Sequence, residues 1–373
     1  MRRTSFANDF SWSKSRHEKL QECLRAYYLY YYRSWGGWES GAPKEVRERP
    51  EVLAHHYTEA GELMPALHYW AQAGRQAALQ AAYTEAVGYL SRALKLMQRL
   101  PDSEERRRDE LQIQVALGIS LVQMRGYRAP DVERTFARVR ELFYQMGEAL
   151  PRLELAYWGI YSYHFARGEY PLAHELAEWL VDLGRRQHNQ EMLAQGYRML
   201  ATNLFFWGRL RESLEYFEHA MAVSHFDLEQ HRVLAVRYLT NPMTSALAHT
   251  SIVLALLGQP ERSRQRAWES LELARRIGHP HTLAYALTYM AAASQFRRDA
   301  HLALKWADEA IAISSERGFW LWNSWSKLIR LWALSELGRP EDYLDEFKQG
   351  IERWLARGVR AGMPNNCAVL AEL

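Results

Sequence analysis

Only two cysteines occur in the 373 residues, Cys23 and Cys367, near opposite ends of the chain. That excludes a disulfide framework and fits a reducing, cytoplasmic setting. No run of eighteen apolar residues is present, so no membrane partner or spanning helix is expected. Residues 1–14 carry basic side chains without an apolar segment and do not form a secretory signal. The net charge is only +3, from 47 Lys and Arg against 44 Asp and Glu, so nothing demands nucleic acid or an acidic surface. Catalytic motifs are missing too. There is no G-x-x-x-x-G-K-[ST] loop to cradle phosphates, no G-x-S-x-G elbow, and no helix-turn-helix with a basic recognition helix. These absences point away from an enzyme and away from a bound cofactor.

What is present is a repeat. Hydrophobic residues make up 48% and charged residues 24%, the balance of a folded chain. A turn signal recurs at Gly126, Gly168, Gly208, Gly258, Arg298 and Gly338, at intervals of 42, 40, 50, 40 and 40 residues. A helical apolar pattern runs up to each turn and another starts after it, as in a stacked array of helix pairs. Five residues after a turn the side chain is small: Ala66, Ala86, Ala173, Ser213, Ser263 and Ala303. Small residues recur seven further on at Ala73, Ala93, Ala220, Ser270 and Ala310, on the same helical face, which lets paired helices approach closely. Leu180, Tyr343 and Gly350 depart from this pattern. Hairpins are predicted at 104–147, 151–187, 190–224, 241–277, 280–317 and 319–357, with prolines 130, 151, 242, 260, 280 and 340 at first turns and linkers. About ten extra residues around Asp227–Tyr238 account for the 50-residue interval and read as a short extra helix rimming a groove. Residues 365–373 read as the first helix of a further hairpin whose partner is missing, so the array is expected to be incomplete at that end. Residues 1–49 read as an N-terminal helix and, after the aromatic run Tyr27–Tyr32, a glycine- and aromatic-rich loop (Trp35–Pro43), a remnant of a preceding domain; residues 50–373 read as the array.

The segment Trp70-x-x-Ala73-Gly74-x-x-Ala77 followed by Ala86-x-x-x-Leu90-x-x-Ala93 has the spacing of a tetratricopeptide repeat. The expected fold is all-α, a tetratricopeptide-like right-handed superhelix of antiparallel helix pairs. The run Pro50–Gly61 with Ala66-x-x-Tyr69-Trp70-x-x-Ala73-Gly74 resembles the opening of the tetratricopeptide tail of large bacterial signalling ATPases. Many of those carry a class III adenylate or guanylate cyclase domain, and others are ATPase-coupled transcription regulators similar to the maltose-operon activator. The resemblance continues through Leu111–Gly118, Gly126–Glu133, Asn241-Pro242, Leu257–Pro260 and Ala361–Leu373. It implies a regulatory module that senses a ligand or partner, with an ATPase or cyclase domain in cis or in trans. The chain has neither the phosphate loop nor a cyclase's paired-aspartate metal site, so those activities are not implied for it.

In that architecture the first helix of each pair lines the concave groove, through positions 13, 10, 6 and 3 residues before the turn. The resemblance thus selects Leu155, Trp158, Ser162 and Phe165, then Gln195, Arg198, Thr202 and Phe205. Tyr285, Thr288 and Gln295 follow, and last Trp325, Leu328 and Trp332. Aromatics around one arginine and a few amides suit a protein, a peptide or a small polar ligand. The bland reading is that Phe165, Phe205 and Trp332 fill the space between pairs. Arg198 discriminates better, because an arginine is rarely buried without a partner. His55 and Glu59 share a helical face but are two ligands, not a metal site. His279-Pro280-His281 falls at a helix start and reads as loop chemistry. The run Glu104–Glu110 mixes both signs, as solvated helix faces do, and Arg262, Arg264 and Arg266 do not share a face.

Overall fold

The computed structural model describes residues 49–80, 82–146, 154–338 and 342–372. The N-terminal helix and Gly/aromatic loop expected over 1–49 lie outside the described residues up to 48. The described residues form seventeen helices and no strand. They are α1 Pro50–Glu59, α2 Leu63–Leu79, α3 Tyr83–Met97, α4 Glu104–Arg125, α5 Pro130–Met146 and α6 Glu154–Ala166. Next come α7 Tyr170–Arg186, α8 Gln190–Phe206, α9 Leu210–Ala222, α10 Leu228–Arg237, α11 Pro242–Leu256 and α12 Pro260–Ile277. The last are α13 Pro280–Phe296, α14 Ala300–Arg317, α15 Trp320–Leu337, α16 Leu344–Ala356 and α17 Met363–Glu372. The chain divides into two compact units, Met1–Ser120 and Leu121–Leu373.

The forty-residue period has a local cause. At four of the turns the N–H three residues past the helix end donates to a carbonyl five residues back: Glu169 to His164, Arg209 to Leu204, Gln259 to Leu254 and Asp299 to Ser294, at 2.8–3.0 Å. This bond belongs to a left-handed helix cap, which requires positive φ at the residue between. Gly168, Gly208 and Gly258 supply it at φ 78°, 77° and 74°, and Arg298 at 60°. Gly338 differs, with φ −136°, so the end of α15 is built another way. Entry into the following helix is fixed by proline in its first turn in α7, α11, α12 and α13, or by the side chains of Asn189, Asn241 and Asp299 accepting backbone N–H groups.

In the first unit, α2 and α3 pair in the manner that the tetratricopeptide spacing predicts. A Cβ on Gly74 would sit 2.5 Å from Leu90 Cγ, so glycine is what lets these two helices close. In the second unit the small positions do the same work. Ala173, Ser213, Ser263 and Ala303 are completely buried, and the hydroxyls of Ser213 and Ser270 donate to the Ala201 and Thr244 carbonyls of the partner helix (2.8 and 3.0 Å). The first helices α8, α11, α13 and α15 pack successively on one another. They are wrapped on nearly all sides: twelve of fifteen residues in α11 are buried, against six of eighteen in its partner α12. The first helices therefore form the interior and the second helices the outer layer.

Two features go beyond the expected array. The extra helix α10 exists, but it packs against α12, an outer helix, and Arg237 pairs with Glu191 at the start of α8. It thus sits at the start of α8 and the end of α12, where Arg232 Nε reaches the Ile277 carbonyl (3.4 Å). Within the second unit, the segment after α16 also returns to the unit's first turns. Tyr127 N–H donates to the Arg357 carbonyl (2.7 Å), and Arg360 N–H donates to the Ala166 carbonyl (2.8 Å).

Candidate functional site on the inner helices

The inner face of the second unit carries one connected chain of polar and aromatic side chains. Trp158 of α6 lies over the Arg198 guanidinium of α8, 4.9 Å from carbon to ring centre. Arg198 Nε donates to Gln195 Oε1 (3.0 Å), and Nη1 reaches Ser245 Oγ of α11 (3.4 Å). Ser245 meets the Tyr285 hydroxyl of α13 (2.8 Å), which is 2.9 Å from His249 Nδ1. His249 Nδ1 also lies 3.0 Å from the Ser245 carbonyl and its Nε2 lies 2.8 Å from the Tyr289 hydroxyl. A carbonyl only accepts, so Nδ1 carries the proton and Nε2 accepts from Tyr289. The Tyr289 ring packs edge-on against Trp325 of α15, at 4.9 Å. Five first helices thus contribute to one network.

Burial sets its electrostatics. It pushes the His249 pKa down to about 3, with the Arg198 charge acting in the same direction. The imidazole is therefore neutral at pH 7. Burial raises the Tyr285 phenol to about 12 and raises Tyr161 and Tyr289 as well, so all three stay protonated. Such groups can donate, accept and stack, but they supply neither an activated nucleophile nor a base poised near neutral pH.

Of the residues selected from sequence, the structure joins Trp158, Gln195, Arg198, Tyr285 and Trp325 through this network. Phe165 stacks on Tyr161 (5.6 Å) and meets Phe206 edge-on (5.0 Å), half-buried beside it. Phe205 lies 6.2 Å from the His249 ring and packs against two core clusters. Gln295 is buried with its Oε1 unpartnered. Trp332 is completely buried in the hydrophobic core beneath Arg298 and presents no surface to a ligand. The side chain of Leu155 lies outside the described set. Sequence reasoning missed Ser245, His249 and Tyr289. Their signal was available: α11 and α13 hold polar residues among apolar neighbours on every side, and such residues must find one another.

The other candidates resolve as local chemistry. His279 Nδ1 lies 2.9 Å from Thr282 Oγ1, and His281 Nε2 accepts from Trp322 Nε1 (2.9 Å). Arg264 and Arg266 pair with Glu261 and Glu269, and Arg107 with Asp102, so these basic runs are internally neutralised. Among the described residues no three His, Cys, Asp or Glu side chains converge to hold a metal, and no helix is long and apolar enough to cross a membrane.

No known protein family and no curated protein matches the chain. Solved structures do. A Rap protein complexed with competence and sporulation factor superposes with a TM-score of 0.53 at 13% identity, over 80% of this chain and 78% of that one. The Rap conjugation gene regulator of plasmid pLS20, in complex with the Phr* peptide, gives 0.59 at 15% identity, over 79% and 76%. The apo quorum sensor NprR from B. thuringiensis gives 0.54 at 13% identity, over 90% and 91%. The fold is tetratricopeptide-like. At these identities the likeness speaks for the architecture alone.

Proposed function

We propose that the chain is a non-catalytic helical-repeat module that binds a peptide or small polar ligand on the inner face of its second unit and serves as a sensor or regulator. The observation that carries this reading is the network from Trp158 to Trp325. Three helices, α8, α11 and α13, spend buried positions on polar groups where apolar side chains would pack at lower cost, and the half-buried Trp158 and Trp325 flank them on α6 and α15. One structural neighbour is in complex with the Phr* peptide and another with competence and sporulation factor, and the first favours a peptide over other ligands. The absence of an activated nucleophile or base in the network supports binding rather than turnover. The test is selection from a displayed random-peptide library against the full chain. Enriched peptides should bind Trp325→Ala at least about tenfold more weakly, with circular dichroism unchanged; the loss of one central aromatic anchor is of that order. Peptides that bind the variant like the parent would remove the groove assignment.

The setting we propose rests on the resemblance of Pro50–Gly61 to the tails of signalling ATPases. The array from residue 50 onward would restrain an ATPase or cyclase domain in cis or in trans, in the cytoplasm, without contacting nucleic acid or membrane. The effector domain of a transcription regulator is the related alternative. Co-expression with such a domain, followed by its nucleotide turnover with and without the selected peptide, distinguishes a regulator of that domain from an independent adaptor.

A further inference from the structure

Arg198 is 5% exposed and Gln195 1% exposed, one helical turn apart on α8. The partners of Arg198 are Gln195 Oε1, Ser245 Oγ and the Trp158 ring, and no acid pairs with it among the described residues. A guanidinium only donates, so Gln195 must turn its carbonyl oxygen toward it and its NH2 group away. The result is two buried donors, Arg198 Nη2 and Gln195 Nε2, with no acceptor. The neighbouring groups add no counter-charge, since Tyr161 and Tyr285 stay protonated and His249 stays neutral. A desolvated cation without a counter-charge is strongly disfavoured, and folded proteins retain one where something else supplies the charge.

We propose that Arg198 and Gln195 form a carboxylate-binding subsite of the inner groove. One ligand oxygen accepts from Arg198 Nη2 and the other from Gln195 Nε2. The ligand's apolar body packs against the half-buried rings of Trp158 and Phe165, which stand on either side of the buried Tyr161 ring on α6, at 6.0 and 5.6 Å from it. A carboxylate fits better than a phosphate because the subsite offers a single positive charge and two free donors, while a phosphate dianion would bring a second, unmatched charge. The ligand reaches the donors by displacing the half-buried Trp158 indole from the guanidinium. This subsite rests on the groove reading above and narrows it. The carboxylate belongs either to the C-terminus of a peptide or to a free monocarboxylic acid.

The test is thermal denaturation of the full chain with two matched probe pairs. One is a random pentapeptide library lacking Asp and Glu, with free or amidated C-termini; the other is 3-phenylpropionate or its amide. The free acids should raise the Tm and the amides should not. Arg198→Met should abolish the shift, and Arg198→Lys should keep part of it. A shift with peptide acids alone identifies a peptide C-terminus; a shift with 3-phenylpropionate as well identifies a small acid. Without any probe, Arg198→Met should raise the Tm by about 2 °C or more, because it removes an unpaired buried charge while keeping an apolar stem. A fall of that size would make Arg198 a structural residue and overturn the proposal, as would an acid-induced shift that survives in Arg198→Met. If amidated and free peptides act alike and Trp325→Ala abolishes both, the groove binds and the carboxylate subsite falls alone. If no probe moves the Tm, the subsite and the groove reading fall together.

Discussion

Arg298 shows how one position can combine strain and compensation. Its φ of 60° is one that glycine adopts at the equivalent turns and that costs another residue about 1–2 kcal/mol. The side chain offsets this: it pairs with Glu372 at 2.7 Å and Glu336 at 3.4 Å, and lies over Trp332. Exposed pairs and a cation–π contact each contribute at most about 1 kcal/mol. Arg298→Ala keeps the strain and loses the contacts, while Arg298→Gly loses the contacts and the strain together. The glycine variant should therefore be the more stable of the two by about 1 kcal/mol in urea denaturation. A more stable alanine variant would mean that the turn tolerates the left-handed conformation without cost. The turn itself was legible in the sequence from its spacing; the ion pairs were not, because Glu372 lies 74 residues away and only folding brings it near.

At the scale of elements, the turn between α4 and α5 differs from the others of its kind. Gly126 and Gly208 share nearly the same φ, 79° and 77°. A Cβ on Gly208 meets nothing within 4 Å, while one on Gly126 would lie 2.6 Å from the Arg357 carbonyl oxygen and 2.9 Å from its Cα. Gly208→Ala should cost the conformational term alone, about 1–2 kcal/mol. Gly126→Ala should cost roughly 1–3 kcal/mol more, since backbone must move. Hydrogen exchange should then accelerate at Tyr127 and Arg360, whose N–H groups donate across this contact. Equal costs at both positions would show that the returning segment contributes nothing to stability. Helices, pairs and caps were readable because they depend on residues within a few turns of each other. Examples are Asn241, whose side chain accepts from the Thr244 N–H at 3.0 Å, and the fully buried Ala303. The return of Arg357 to Tyr127 spans 230 residues and has no local signature.

Across the second unit as a whole, two histidines couple stability to acid. Burial holds the pKa of His249 and of His281 down at about 3, from an ordinary value of 6.5. Above pH 6.5 both are neutral whether the chain is folded or unfolded, and neither affects the balance. Between 6.5 and 3 the unfolded chain binds a proton at each and the folded chain does not, so stability falls as the pH drops. The expected loss is on the order of a few kcal/mol by pH 4, read as a falling Tm. His249→Gln keeps hydrogen-bonding capacity without titrating, and its Tm should fall less steeply over that window. Parallel slopes for parent and variant would show that His249 is protonated without penalty and that the network around it is open to water.

The sequence by itself determined the elements and their pairing. Positive-φ turns, prolines in first helical turns and small residues seven apart act through contacts along one or two neighbouring helices. It also named Arg198 as the informative residue, on the rule that an arginine is seldom buried alone. Only the tertiary structure decided which polar side chains meet and which donors remain unpaired. Trp332 and Trp325 are seven residues apart on one helix, yet one is sealed in the core and the other borders the network. Burial on an inner helix depends on every neighbouring helix at once, and no spacing rule along a single helix carries that information.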